Sequence, residues 1–172
     1  MMKNELEKLD VYLKELGEIH PDAVGKVGQE VDDAVWVVGR DRVLDVLIWL
    51  KDKGFDLLLD IAGVDGLHLG RMERFEVVYI LYSIKENIRL RVKVFLPESD
   101  LKLPTATDLW QSANWAEREV FDMFGVTFEG HPNLKRILCH HEFEGHALRK
   151  DYPMMGGQWC SSTRDLREDL DE

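Results

Sequence analysis

The residues best suited to chemistry crowd into the last third of the chain. Cys139-His140-His141, with His146 five positions further and Glu142 and Glu144 alongside, gathers thiol and imidazole donors of the kind that hold zinc. A zinc ion on His140, His141 and His146 would make the chain a stand-alone hydrolase. The spacing matches none of the strong zinc patterns, however. Adjacent His140 and His141 also point apart in an extended segment. Histidines that hold no native metal are the favoured reading. A second cluster, Glu117, Glu119 and Asp122, offers carboxylates for acid–base work or metal binding. On a helix Glu117 and Glu119 face different sides, while Arg118 and Asp122 stand four apart and can pair. Asn114 reads as an N-cap with Glu117 at the capping-box position, which leaves the other acids on an ion-paired face. No Ser-His-Asp arrangement, nucleophile elbow or P-loop is present. Gly63, Gly66 and Gly70 have the wrong spacing for a dinucleotide fingerprint. The residues offer no convincing active site.

The elements that must position these residues are legible in part. Leu6, Leu9, Val11, Leu13 and Leu16 among charged neighbours predict an amphipathic N-terminal helix ending near Gly17. His20-Pro21 begins a turn, and 34–38 reads as a short strand. Asp41 is placed to cap a helix over 42–53, with Val43, Leu47 and Leu50 apolar and Gly54 as its stop. Residues 55–61 form a strand-length apolar run, and 63–66 a loop. The clearest strands are 75–84 and 88–96, joined as a hairpin by Lys85-Glu86-Asn87. In the second, Arg89, Arg91 and Lys93 alternate with Leu90, Val92 and Val94, which predicts a solvated basic face over an aliphatic one. Pro97 and Pro104 bracket a break. Thr107 to Gln111 can start a helix, and Trp115 to Phe124 form another that Gly125 stops. From Glu129 onward the chain should be extended and irregular.

Composition narrows the class. Five Trp, seven Phe and four Tyr exclude disorder throughout. A net charge of −11 argues against nucleic acid and against adsorption to an anionic membrane surface. No run approaches the ~20 apolar residues of a membrane span, and the start MMKNELEKLD resembles neither a signal nor a transit peptide. Two cysteines, Cys139 and Cys160, are too few for a disulfide framework or a cysteine-held cluster. A reducing bacterial cytoplasm follows, with any membrane attachment made through a partner. Between Glu129 and Asp151 the basic Lys135, Arg136, Arg149 and Lys150 balance Glu129, Glu142, Glu144 and Asp151, so the whole −11 sits elsewhere. A neutral stretch poor in packing signals suits docking on a partner, or equally a loop over the chain's own sheet.

The string NWAEREVFDMFGVTFEGHPNLKRIL, followed by FEGHALRKDYP, closely resembles the signature of the C-type subunit of NADH-quinone oxidoreductase, the 30 kDa subunit family of respiratory complex I, which has relatives in membrane-bound hydrogenases. The likeness is dense over about forty residues. It implies an α+β fold, a small mixed or antiparallel sheet packed with helices, over 1–125, and an extended docking segment over 126–172. It implies a non-catalytic peripheral-arm subunit that supports assembly and electron transfer from NADH to quinone, coupled to proton translocation. FMN, iron–sulfur clusters and quinone would belong to partner subunits, above all the one lining the quinone cavity. The chain would lie on the cytoplasmic side of the bacterial inner membrane without entering it. The signature positions are Glu117, Arg118, Glu119, Asp122, Gly125, His131, Pro132, Arg136, Gly145, His146, Arg149, Lys150, Asp151 and Pro153. Of these Glu117, Arg118, Glu119, Asp122, His131, Arg136, His146, Arg149, Lys150 and Asp151, with Lys135, are the expected partner interface. Two departures stand out. Ala147 follows the second Gly-His where the family commonly has Pro, and Cys139-His140-His141 replaces a stretch usually holding Asp and an aromatic residue. The end at Glu172 suggests the separate form, not the one fused to the quinone-cavity subunit. An equivalent subunit of a hydrogenase-type or ferredoxin-linked complex carries the same signature.

Overall fold

The computed structural model describes residues 2–30, 33–154 and 158. Helix α1, Met2–Ile19, buries Leu9 and Leu16 and exposes Val11. It runs past Gly17, where it was expected to stop. One helical glycine costs only about 1 kcal/mol, and Pro21, which disfavours helix at the residue before it, ends the element instead. Strand β1, Val24–Glu30, has no signature in the sequence, because its two glycines break any apolar alternation. Strand β2 spans Asp33–Val38. A 3₁₀ turn over Arg40–Arg42 then leads into helix α2, Val43–Asp52. Asp41 does not cap α2. It sits inside the 3₁₀ turn, and the capping position, Arg42, makes no side-chain cap bond.

Strand β3, Leu57–Asp65, runs through the segment expected to be a loop, pairing Gly63 with Val77 and Asp65 with Phe75. Gly63 is required where it stands. A Cβ there would come 2.4 Å from a ring carbon of Phe124, so glycine lets the helix that carries Phe124 lie against the strand. Strands β4, Phe75–Ser83, and β5, Ile88–Leu96, form the expected hairpin, with Asn87 at φ 54° in its turn. The sheet order is β1-β2-β5-β4-β3, antiparallel except for the β2–β5 pair.

One face of this sheet carries Trp36, Leu58, Ile61, Val77, Tyr79, Leu81, Leu90, Val92 and Val94. These residues share one core with Leu9 and Leu16 of α1, Val43, Val46, Leu47 and Leu50 of α2, and Val120, Met123 and Phe124 of the later helix. The opposite face holds Arg89, Arg91 and Lys93 as the alternation predicts, yet it is not a freely solvated basic row. Arg91 reaches Asp33 at 2.6 Å, and Lys93, 8% exposed, reaches Glu76 at 3.1 Å. Charges on a flat sheet face shield one another from water, so pairing replaces hydration.

Strand β6, Lys102–Pro104, runs parallel to β7, Thr127–Glu129, and helix α3, Ala113–Phe124, makes the crossover between them. The helix start expected over 107–111 is a series of turns instead. Trp110 and the following Ser112 are used along β3: Trp110 Nε1 donates to the Phe55 carbonyl just before the strand at 3.2 Å and Ser112 Oγ to that of Leu58 within it at 3.0 Å. The second bond covers a carbonyl of an edge strand that would otherwise invite another chain. Val126 and Phe128 belong to the core, so packed structure continues through β7. Beyond Glu129 the described chain is irregular, as expected. The remainder of the expected docking segment lies outside the described residues, Gln158 excepted.

Candidate docking site

The C-terminal end of α3 organises the signature residues. A helix leaves its last four carbonyls without intrahelical donors. Here the Phe121 carbonyl accepts from Gly125 N–H at 2.9 Å and that of Asp122 from His146 Nδ1 at 3.0 Å. The Met123 carbonyl accepts from Leu148 N–H at 3.2 Å, and that of Phe124 from Arg149 Nε at 2.7 Å. The irregular chain after β7 is therefore a strap folded over the helix end, and its arginine there complements the negative end of the helix dipole. Gly125 has two reasons to be glycine. Its φ is +81°, and an added Cβ would lie 2.5 Å from His146 Nε2 and 2.6 Å from Arg149 Nη2.

Asp122 is fully buried and holds the next layer. One carboxylate oxygen accepts from Arg136 Nη1 at 2.7 Å, and the other from the amides of Ile137, Leu138 and Cys139 at 3.0, 2.8 and 2.8 Å. Burial pushes this carboxyl up, but the amides and the guanidinium outweigh it and hold the group below its ordinary value. Arg136 also donates to the Gly145 carbonyl at 2.9 Å. The expected pairing of Asp122 with Arg118 does not form. Arg118 instead donates to the carbonyls of Lys135 and Arg136 at 3.0 and 3.1 Å and stacks 4.9 Å over Trp115. His131 accepts the Asn133 amide on Nδ1, so its Nε2 carries the proton and donates to the Asn114 carbonyl at 3.1 Å. His146 must carry its proton on Nδ1, since a carbonyl only accepts. Burial, with Arg149 and Arg136 nearby, lowers its pKa and keeps the ring neutral.

A second clasp joins the strap to the sheet. Asp65, whose side chain is wholly buried, accepts from Arg74 through both oxygens, at 3.0 and 2.8 Å, and from the Lys150 amide at 2.8 Å. Arg74 also bonds Asp151 and Glu98. The guanidinium, helped by the Lys150 and Leu67 amides, draws the Asp65 carboxyl down to about 2. Neither Asp65 nor Arg74 stands out in the sequence, where Asp65 falls in the expected loop over 63–66. A second acid at the end of a mainly apolar strand is the available signal, because such an acid needs a cation when buried.

Glu117 does not cap α3. It is fully buried, accepting from the Thr105 hydroxyl at 2.6 Å and the Ala106 amide at 2.7 Å. Asn114 lies inside the helix, and Ser112 takes the capping position without a side-chain bond. Burial raises the Glu117 carboxyl to about 7, against those two bonds.

Among the described residues the histidines do not gather into a metal-ligand set. The rings of His140 and His141 lie 4.1 Å apart with their planes tilted by 45°, instead of pointing away from each other, because 140–143 closes a turn. His146 is committed to the α3 carbonyl. No group of three or more His, Cys, Asp or Glu suited to a metal occurs among the described residues. Of the expected interface residues, Glu117 and Asp122 are interior, while Arg118, His131, Arg136, His146 and Arg149 are half-buried and bonded within the chain. Glu119, Lys135, Lys150 and Asp151 are exposed, although Asp151 is paired with Arg74. Large apolar side chains stand out on the same scaffold: Trp115 is 62%, Leu138 63% and Leu148 51% exposed.

The α+β domain thus commits most of its polar signature to internal clasps and leaves aromatic and aliphatic side chains outside. The family described as respiratory-chain NADH dehydrogenase, 30 Kd subunit, matches residues 36–158, and the chain belongs to it. It is 49% identical over 128 residues to NADH-quinone oxidoreductase subunit 5 of Thermus thermophilus, covering 70% of this chain and 62% of that relative. It is 40% identical to the C-type NADH-quinone oxidoreductase subunit of Legionella pneumophila, covering 91% of this chain and 80% of the relative. Among solved structures, a trypsin-resistant fragment (1-134) of Nqo5 superposes with a TM-score of 0.64 at 40% identity, covering 72% of this chain and 98% of that one. A chain of the membrane-bound sulfane sulfur reductase, an archaeal respiratory membrane complex, superposes with a TM-score of 0.71 at 28% identity, covering 96% and 92%. The chain thus spans about three fifths of the length of the Thermus relative.

Proposed function

We propose that this chain is a docking subunit in the peripheral arm of an NADH-quinone oxidoreductase, supporting electron transfer from NADH to quinone without holding a redox group. Family membership supports the complex. The observation that carries the docking role is the exposure of Trp115, Leu138 and Leu148 on a scaffold fixed to α3: Trp115 is part of the helix, while the Leu138 and Leu148 amides bond to Asp122 and Met123. Immobilised aromatic and aliphatic side chains bind partners at low entropic cost. Lys135, Lys150 and Glu119 supply a charged surround that sets register with the neighbour. Arg136 and Arg149 contribute indirectly, by holding the strap. FMN, iron–sulfur clusters and quinone belong to the partner subunits in this reading, and the quinone-cavity subunit is the neighbour on the strap side. No helix among the described residues is long and apolar enough to cross a membrane; in this reading the chain attaches at the cytoplasmic face of the bacterial inner membrane through its partners.

The test is copurification. Leu138→Ser with Leu148→Ser should leave the isolated chain folded and deplete the quinone-side subunits from the purified arm. Undiminished recovery of those subunits with the double variant would sink the reading. The 96% coverage by a chain of a sulfane sulfur reductase supports a second reading, the equivalent subunit of a related membrane complex. The higher identity to quinone oxidoreductase subunits favours the first. NADH-dependent quinone reduction by the purified complex separates the two.

A further inference from the structure

Four of the buried carboxylates, Asp33, Asp65, Glu76 and Asp122, each have an arginine or lysine partner. Glu117, equally buried, has none among the described residues. Its bonds there are to the Thr105 hydroxyl and the Ala106 amide. The titratable group facing it from the sheet is Tyr79 of β4, a phenol that is itself buried, makes no hydrogen bond among the described residues, and is kept neutral by its burial and by the nearby carboxyl. A fully buried carboxylate without a cation is costly, so the position favours uptake of a proton.

The hydroxyls beside it accommodate either state. Thr105 Oγ1 lies 2.6 Å from the Glu117 carboxyl oxygen and 3.0 Å from Thr107 Oγ1, and it accepts the Thr107 amide at 3.2 Å. With Glu117 ionised, Thr105 donates to the carboxylate and accepts from the Thr107 hydroxyl. With Glu117 protonated, the carboxyl donates to Thr105, which then donates to Thr107. The heavy atoms need not move; only the direction of the hydroxyl chain reverses. The Ala106 amide donates to the other carboxyl oxygen in both states. Thr107, like Thr105, is half-exposed, so the pair of hydroxyls opens to water.

We propose that Glu117 is a buried proton-exchange site, loaded from solvent through the hydroxyls of Thr107 and Thr105. In loading, a hydronium ion from solvent gives a proton to Thr107 and is left as neutral water, Thr107 passes its own proton to Thr105, and Thr105 passes its own to Glu117, so both hydroxyls end neutral. The proposal stands apart from the docking surface and does not depend on it.

Carboxyl-carbon NMR of the full chain labelled at glutamate Cδ tests it. One glutamate should titrate with a midpoint near 7, and Glu117→Gln should delete that signal. Thr105→Val removes a bond that favours the ionised form and should push the midpoint higher, while Thr105→Ser, which keeps the hydroxyl, should leave it in place. Thr107→Val should preserve the midpoint but slow the exchange, broadening the resonance there. Glutamates that all titrate as ordinary carboxyls, or a near-neutral signal that survives Glu117→Gln, would overturn the site. A Thr107→Val signal as sharp as that of the unmodified chain would overturn the route.

Discussion

Replacing Asp122 with Asn tests whether the strap is held by one buried carboxylate. The side chain keeps its shape, but its four acceptor contacts, to Arg136 and the amides of Ile137, Leu138 and Cys139, fall on a single oxygen. The new NH₂ must face one set of donors. Hydrogen bonds to a charged group contribute about 1.5–3 kcal/mol each, and breaking a buried ion pair from one side costs about 3–5 kcal/mol. Contributions within one network overlap, so we expect a loss of about 4 kcal/mol and a fall in Tm of roughly 10 °C for a domain of this size. Thermal unfolding by circular dichroism measures the total, and limited proteolysis within 136–149 shows whether the strap opens first. The pH dependence has a definite sign. The folded-state pKa of Asp122 is depressed, so its contribution is complete above the ordinary value of 3.8 and is lost as pH falls through the folded value. The gap between wild type and Asp122→Asn should therefore narrow only under strongly acid conditions. A loss below about 1 kcal/mol, with the strap still protected from protease, would refute the reasoning.

Gly125→Ala should cost at least about 3 kcal/mol in chemical denaturation, because it adds left-handed strain to a collision with His146 and Arg149. Glu117 acts with the opposite sign to Asp122. Its folded pKa is raised from 4.5 to about 7, so stability should fall by up to about 3 kcal/mol as pH rises between those values and level off above. Glu117→Gln should remove that slope in urea titrations across the range. Arg149→Ala should destabilise the isolated chain by about 1–3 kcal/mol, since its guanidinium bonds the Phe124 carbonyl and covers the Phe75 ring at 5.1 Å. Lys150→Ala, which loses only an exposed ammonium, should leave Tm unchanged and alter copurification alone. Equal thermal shifts for these two variants would contradict the division of roles between them.

The order of residues alone is enough for the hairpin of β4 and β5, the body of α3 with its glycine stop, the irregular course after β7 and the family. Those features rest on short-range rules: period-two alternation, a left-handed residue after a helix, and a dense local signature. It did not determine where the charged side chains go. Asp122 had Arg118 one helical turn away, yet Arg136 and three amides of the returning chain take it, because the carboxylate is inside and Arg118 is not. Lys93 follows the alternation of its strand and is nonetheless buried against Glu76. Asp65 meets the amide of Lys150, far along the chain, only once β3 and the strap have been brought together. Pairing of this kind depends on which groups lose water together, and long-range packing settles that. For the same reason Asp122 and His146, which the sequence offers as candidates for chemistry, serve as clasps, and the surface proposed to meet a partner is the apolar Trp115, Leu138 and Leu148.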